Sequence, residues 1–497
     1  MKPLRLFFCF VLAFLCGQQV GAQRLVMPGD YPDPSVVKIG DTYWASATTS
    51  NWMPAYPILK SKDLIQWETV SHVFDQKPDW VDYYFWAPEI SYENGKVYIY
   101  YSAHKKDGNL CVGVASADRP EGPYRDHGPL ICQPVGSIDA FPMRDEEGRL
   151  YMIWKEDANS VNQPTPIWIQ EMNEERTALV GEKKELFRND VPWEANLVEG
   201  VAIMPHGDYL YAFYAAAGCC GSACTYGVGI ARAKKLLGPW EKYEKNPVMT
   251  GSEDWKCPGH GTPVEKDGRY YLLHHAYSAR GTVYTGREGI LSEFKFTPDG
   301  WIEFVKEDPP ATIAPQAVSD DFKGKTVSDR WQWSVFQDID AKQRRGRLQL
   351  KALPGATGAF LGQKTYDIDY TAETGVLTRK SDAAAGIGAI GDEKNTINAL
   401  VDGDSLKLVQ VKDGKETVVT TKQVERSKKL YLRMQVRNGK NFLFFYSTNG
   451  QDFEALNTEP LDGGYLPPWD RAIRAGLIAK GEVDEKAVFD FFEMKSL

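Results

Sequence analysis

The feature that most constrains the fold of this chain is a pattern repeated five times. Segments 41–46, 96–101, 149–154, 209–214 and 269–274 each carry a tyrosine flanked by aromatic, aliphatic or β-branched residues. The shared tyrosines are Tyr43, Tyr98, Tyr151, Tyr211 and Tyr271. Each segment follows a turn signal: Gly40-Asp41, Asn94-Gly95, Glu147-Gly148, Gly207-Asp208 and Asp267-Gly268. Further strand-like stretches follow, for example near 60–69, 111–117 and 227–233. A repeat of about 55 residues holding four short strands reads as one propeller blade, so five of them predict a five-bladed β-propeller. The many aromatic, glycine and proline residues suit an all-β chain with tight turns.

Just upstream of the repeated tyrosines stand Asp33, Glu89, Asp139, Glu199 and His260. The first strand of a blade lines the central channel, so these residues are expected at equivalent innermost positions. Four carboxyl groups and an imidazole would then face one another across the axis. Unpaired carboxylates held together are costly, and a fold does not need them there. A function, a metal, or both would explain the cluster.

The short motifs around these residues are Tyr31-Pro32-Asp33-Pro34-Ser35, Trp86-Ala87-Pro88-Glu89, Ser137-Ile138-Asp139-Ala140-Phe141-Pro142, Val198-Glu199-Gly200-Val201 and Gly259-His260-Gly261. Together, in this order and one per blade, they resemble glycoside hydrolase family 43 over about residues 24–305. One departure is Val201, where many members have proline after the Glu-Gly pair.

The resemblance implies hydrolysis with inversion of configuration. It makes Asp33 the general base that activates water and Glu199 the general acid that protonates the leaving oxygen. Asp139 would tune and hold Glu199. An inverting glycosidase needs its acid and base about 6.5–9.5 Å apart, so that water fits between base and sugar. Burial and an ionised Asp139 are expected to raise the pKa of Glu199. Arg287 resembles an arginine that contacts the terminal sugar in exo-acting relatives. Trp44, Phe85, Trp86 and Phe141 are candidates to wall the first sugar subsite, and Glu89 is a further substrate-binding candidate. His260 resembles a channel histidine near a bound cation. No cofactor is expected to be required, with room left for calcium or another cation on the axis.

The ends of the chain carry separate signals. Lys2 and Arg5 precede an apolar run over 6–16, and Val20 and Ala22 suit a cleavage site after Ala22. Residues 1–22 therefore read as a signal peptide, and the protein as exported to the periplasm, cell surface or exterior. Cys16 is a weak lipid acceptor because Leu15 precedes it. The run is too short to span a bilayer. Export permits disulfides among the other six cysteines, three of which (Cys219, Cys220 and Cys224) crowd one loop. After the propeller (23–305) and a Pro-containing linker (306–319), residues 320–497 alternate in short strands with Asp-Gly and Asn-Gly turns. They read as a β-sandwich. Asp320-Asp321-Phe322 with Trp331-Gln332-Trp333 resembles the concanavalin-like domain that follows the propeller in many family members and can narrow the substrate entrance.

The formal net charge of −9, with no Lys/Arg cluster, argues against nucleic acid. The expected activity is exo-hydrolysis of terminal α-L-arabinofuranosyl or β-D-xylosyl residues from plant cell-wall glycans. An endo-arabinanase would need an open groove. A non-catalytic lectin or protein-interaction propeller would have no use for all three acids.

Overall fold

The computed structural model describes residues 23–305, 317–425 and 428–497. Residues 1–22, read from sequence as a signal peptide, and most of the linker lie outside the described residues. The architecture is all-β. Blade one is built from Ser35–Ile39, Thr42–Ser46, Ala55–Ser61 and Glu68–Phe74, in that order from the axis outward. Blade two uses Val81–Glu93, Lys96–Lys105, Leu110–Ala117 and Arg125–Cys132. Blade three uses Ser137–Arg144, Leu150–Glu156, Ile167–Met172 and Leu179–Phe187, and blade four Val198–His206, Tyr209–Ala216, Gly227–Ala233 and Glu241–Lys242. Each repeated tyrosine lies on the second strand of its blade, as the hairpin signals predict.

Blade five takes Trp255–Lys266, Arg269–Ser278 and Arg287–Phe296 from the end of the propeller, and Gln23–Met27 from its beginning. Leu25 pairs with Ile290 across this joint. The innermost strands also touch in a closed cycle, one to five and back to one. Hydrogen bonds between Gln23–Met27 and Arg287–Phe296 therefore join the start of the propeller to its end.

The top of each innermost strand has a common irregularity. Asp33, Ala87, Asp139, Gly200 and His260 all have positive φ, between 36° and 61°. In blades two to five the ladder register slips at these points. Such bulges re-aim a side chain that regular alternation would send between blades. The equivalence expected from sequence is thereby corrected in blade two. Ala87, not Glu89, occupies the bulge, and Glu89 sits two residues further along the strand.

Residues 318–496 form two packed sheets, one containing Tyr370–Val376, Leu430–Arg437, Asn441–Ser447 and Lys486–Ser496, the other Ala359–Lys364, Ala384–Asp392, Asn395–Asp402, Ser405–Lys412, Lys415–Gln423 and Arg474–Lys480. Their inner faces enclose a core that includes Trp331, Leu350, Ile387, Leu408, Leu432, Phe444 and Phe492. Trp331 Nε1 donates to Asp320 Oδ2 at 2.9 Å, tying the opening segment to this core.

The sandwich docks on blade one. Trp52–Met53 pairs with Trp333–Ser334 across the boundary. Trp52, 1% exposed, is buried among Phe360, Ile390, Leu400, Val409 and Ile478 of the sandwich. Asp30 and Arg474 make a buried ion pair of 3.1 Å between the two domains. Among the described residues no helix is long and apolar enough to cross a membrane.

Candidate active site

The bulges open onto a cavity of about 540 Å³ at the top of the axis. Asp33, Asp139, Glu199, His260, Arg287 and Trp86 all line it. Asp33 is held from several sides. Arg287 Nη1 lies 3.0 Å from its Oδ1, and Thr48 Oγ1 donates to its Oδ2 at 2.7 Å. Its own N–H donates to His275 Nδ1 at 3.1 Å. Burial alone would push the Asp33 carboxyl up, but the Arg287 guanidinium, with the His275 and His260 rings, outweighs burial and holds it well below the usual carboxylate range. These partners thus favour the ionised form of Asp33.

Asp139 and Glu199 are a coupled pair in opposite states. Burial pushes the Asp139 carboxyl up to about 7, with the Glu199 and Asp33 charges adding and those of His260 and Lys155 opposing. Its Oδ2 accepts from Gly200 N–H at 2.9 Å. Glu199 Oε1 accepts from the Tyr226 hydroxyl at 2.7 Å, and Oε2 accepts from Lys155 Nζ at 2.5 Å. Burial again pushes up, but Lys155 and Tyr226 outweigh it and hold Glu199 below its ordinary value. This corrects the expectation of a raised Glu199. The physical reason is Lys155, an ammonium whose side chain is 1% exposed. A proton held by this pair is therefore favoured on Asp139 over Glu199.

His260 Nδ1 lies 3.6 Å from Asp33 Oδ1 and 3.8 Å from Asp139 Oδ2. It can come this close to its neighbour because residue 200 is glycine: a Cβ there would sit 2.7 Å from the imidazole Cγ. Among the described residues no group of three or more His, Cys, Asp or Glu side chains is arranged to hold a metal ion.

The other aromatic candidates separate. Trp86 walls the cavity, stacked on Tyr84 at 4.2 Å. Trp44 and Phe85 are instead buried in the core between blades one and two. Phe141 packs against the core between blades three and four. Glu89, placed below the bulge level, accepts a long 3.4 Å hydrogen bond from Thr262, and burial pushes its carboxyl well above the usual range. None of these four lines the cavity.

Several lining or supporting groups escaped the sequence reading. Lys155 and His275 come from the second strands of blades three and five. Tyr226 follows the cysteine-rich loop, in which Cys219 pairs with Cys220 and Cys224 with Cys257. Cys111 pairs with Cys132 in blade two. The sandwich adds Trp469 and Asp470 to the cavity wall. Asp470 O accepts from Arg287 Nη2 at 3.0 Å, and its carboxylate accepts from Ser50 and from Trp86 Nε1. Trp469, 54% exposed, stands edge-on to Trp86 at 5.9 Å. The site is therefore a pocket closed on one side by the second domain.

The profile described as glycosyl hydrolases family 43 matches residues 22–302, and that described as beta xylosidase C-terminal concanavalin A-like domain matches residues 319–495. The chain is similar to xylosidase/arabinosidase 43B of Humicola insolens, 28% identical over 314 residues. That match covers 58% of this chain and 55% of the relative, about half its length. It is similar to the beta-xylosidase of Bacillus subtilis, 25% identical over 521 residues, covering 89% and 92% of the two chains. Among solved structures, xylan beta-1,4-xylosidase from Bacillus halodurans superposes with a TM-score of 0.81 at 22% identity, covering 96% of this chain and 100% of that one. This last likeness concerns the fold.

Proposed function

Because the chain belongs to glycosyl hydrolase family 43, we propose that it is an inverting, exo-acting glycosidase that releases terminal α-L-arabinofuranosyl or β-D-xylosyl residues from plant cell-wall glycans. The observation that carries this reading is the meeting, in one pocket, of Asp33, ion-paired to Arg287 and so favoured ionised, with the buried carboxyls Asp139 and Glu199, the first of them pushed up to about 7. An inverting hydrolase needs both states at once. Asp33 takes a proton from water as the water oxygen bonds to the anomeric carbon. The glycosidic C–O bond breaks, and the leaving oxygen takes the proton supplied through Glu199. Asp33 ends protonated, the acid pair ends ionised, and exchange with solvent resets both.

Arg287 and Trp86 stand on the Asp33 side and would hold the terminal sugar. Asp139 serves the pair by keeping its proton in the site. His260 faces both aspartates as a polar neighbour, and the steps above call on no resident cation. Wall residues Trp469 and Asp470 favour a pocket that admits a chain end over a groove that admits a chain middle. Release to the cell exterior fits the leader-like segment 1–22 and the three disulfides.

The test is hydrolysis of aryl α-L-arabinofuranoside and aryl β-D-xyloside measured side by side, with Asp33→Ala as control. Release from either, lost in the variant, is the expected result and names the preferred sugar. Release from neither, with activity on internal bonds of arabinan, would replace the exo reading by the endo one.

A further inference from the structure

Lys155 is the least expected group near the chemistry. Its side chain is 1% exposed, and its Nζ is 2.5 Å from Glu199 Oε2 and 3.0 Å from Asp157 Oδ1. It stands on the second strand of blade three, one strand away from Asp139, and lines the same cavity. A fully buried lysine is costly unless its charge is paired. Here one of its partners is the group assigned to donate a proton, and a fixed cation beside a proton donor makes the donor release its proton more readily.

The other charged and titratable neighbours supply less of this effect than Lys155 does. Tyr226 donates a neutral hydroxyl to Glu199, because burial holds its phenol well above the usual range. His260 faces Asp33 and Asp139. Asp139 carries the shared proton, and Asp157 is the counter-charge on the far side of Lys155. Burial opposes a charge on Lys155, but Glu199, Asp157 and Asp139 more than restore it.

We infer that Lys155 is a positioning residue for the leaving-group acid, whose ammonium fixes the Glu199 carboxyl against Tyr226 and sets how tightly the Asp139–Glu199 pair keeps its proton. Asp157 moderates that cation. The inference rests on the assignment of Glu199 as the acid. Lys155 and Asp157 therefore form a two-charge adjustment of acid strength.

The sign of each charge dictates the test. In the pH profile of kcat/KM the alkaline limb reports loss of the pair's proton. Lys155→Met is expected to move that limb to higher pH by about one unit or more, and Lys155→Arg to restore it. Asp157→Asn, which keeps an acceptor for Nζ but removes the counter-charge, is expected to move the limb to lower pH. The second variant serves if the first does not fold. A limb that stays in place, or moves the same way in both variants, would overturn the inference and leave Lys155 a structural ion pair. Glu199→Ala is run beside them. If it loses activity equally on aryl and natural glycosides, the acid assignment has failed. If it spares the aryl substrate and the limbs still do not move, only the role of Lys155 has failed.

Discussion

Arg287 and Asp33 form a buried ion pair of 3.0 Å, and the same guanidinium is anchored at 3.0 Å to the backbone oxygen of Asp470 in the other domain. The proposed base is thus held ionised by an arginine that the sandwich holds in place. Removing the arginine leaves only the His275 and His260 rings to oppose burial at Asp33. Arg287→Met should move the acid limb of kcat/KM to higher pH by about one to three units. Asp33 is depressed when folded, so its contribution to stability is present above about pH 4 and is lost as pH falls below that value. The variant should lose this part of its acid sensitivity. Melting curves from pH 2 to 5, compared with wild type, check it. Parallel curves would count against the pair.

Glu199→Ala should separate substrates by their leaving groups. A good aryl leaving group needs little protonation, whereas a sugar leaving group needs it fully. The expected loss is on the order of 10²–10⁴ in kcat on xylo- or arabino-oligosaccharides, and much smaller on nitrophenyl glycosides. Steady-state rates on both substrates decide the matter.

Asp139 is raised to about 7 when folded, so the folded protein binds a proton that the unfolded chain releases near pH 4. Its contribution to stability is present below about pH 4 and is lost as pH rises through about 7. Asp139→Asn keeps the acceptor for Gly200 N–H and removes the ionisation. Its melting temperature relative to wild type should climb between about pH 4 and 7 and then level off. The full difference is at most about 4 kcal/mol, from 1.36 kcal/mol per pKa unit. A difference that does not vary with pH would mean that Asp139 titrates normally.

Arg474→Met strands the Asp30 carboxylate, buried at the boundary between domains. The expected cost is about 3–5 kcal/mol, read as a lowered melting temperature in a thermal scan. Deleting residues 318–497 should do more. It uncovers Trp52 and removes Asp470 from Arg287, so folding or kcat should be lost, not polymer binding alone. A fully active isolated propeller would show that the sandwich only binds glycan.

Much of this was legible because five blades repeat one hairpin. The tyrosines and turn signals locate the second strands, and the acids lie upstream at nearly constant distance. What misled was the bulge. Counting residues placed Glu89 level with Asp33, but Ala87 takes the left-handed position and Glu89 falls below the cavity. Trp44 and Phe141 lie near the acids in sequence, yet strand alternation turns them into cores between blades. Lys155, His275 and Asp470 were missed because they arrive from second strands or from the other domain. A signal for two of them was present. Lys155 and His275 are buried polar residues on otherwise largely apolar second strands, Lys155 directly after Tyr151-Met152-Ile153-Trp154 and His275 one residue beyond Tyr271-Leu272-Leu273. A buried strand does not carry such groups without a partner.

The pairing of Gln23–Met27 with Arg287–Phe296 has a consequence for how the molecule comes into being. Asp33 lies just after the first of these strands, and Arg287 opens the second. During synthesis the base therefore waits, without its arginine, until nearly the whole propeller has emerged. Sealing the ring and bringing the proposed base to its arginine are one event, so a truncated or half-threaded chain lacks the Asp33–Arg287 pair.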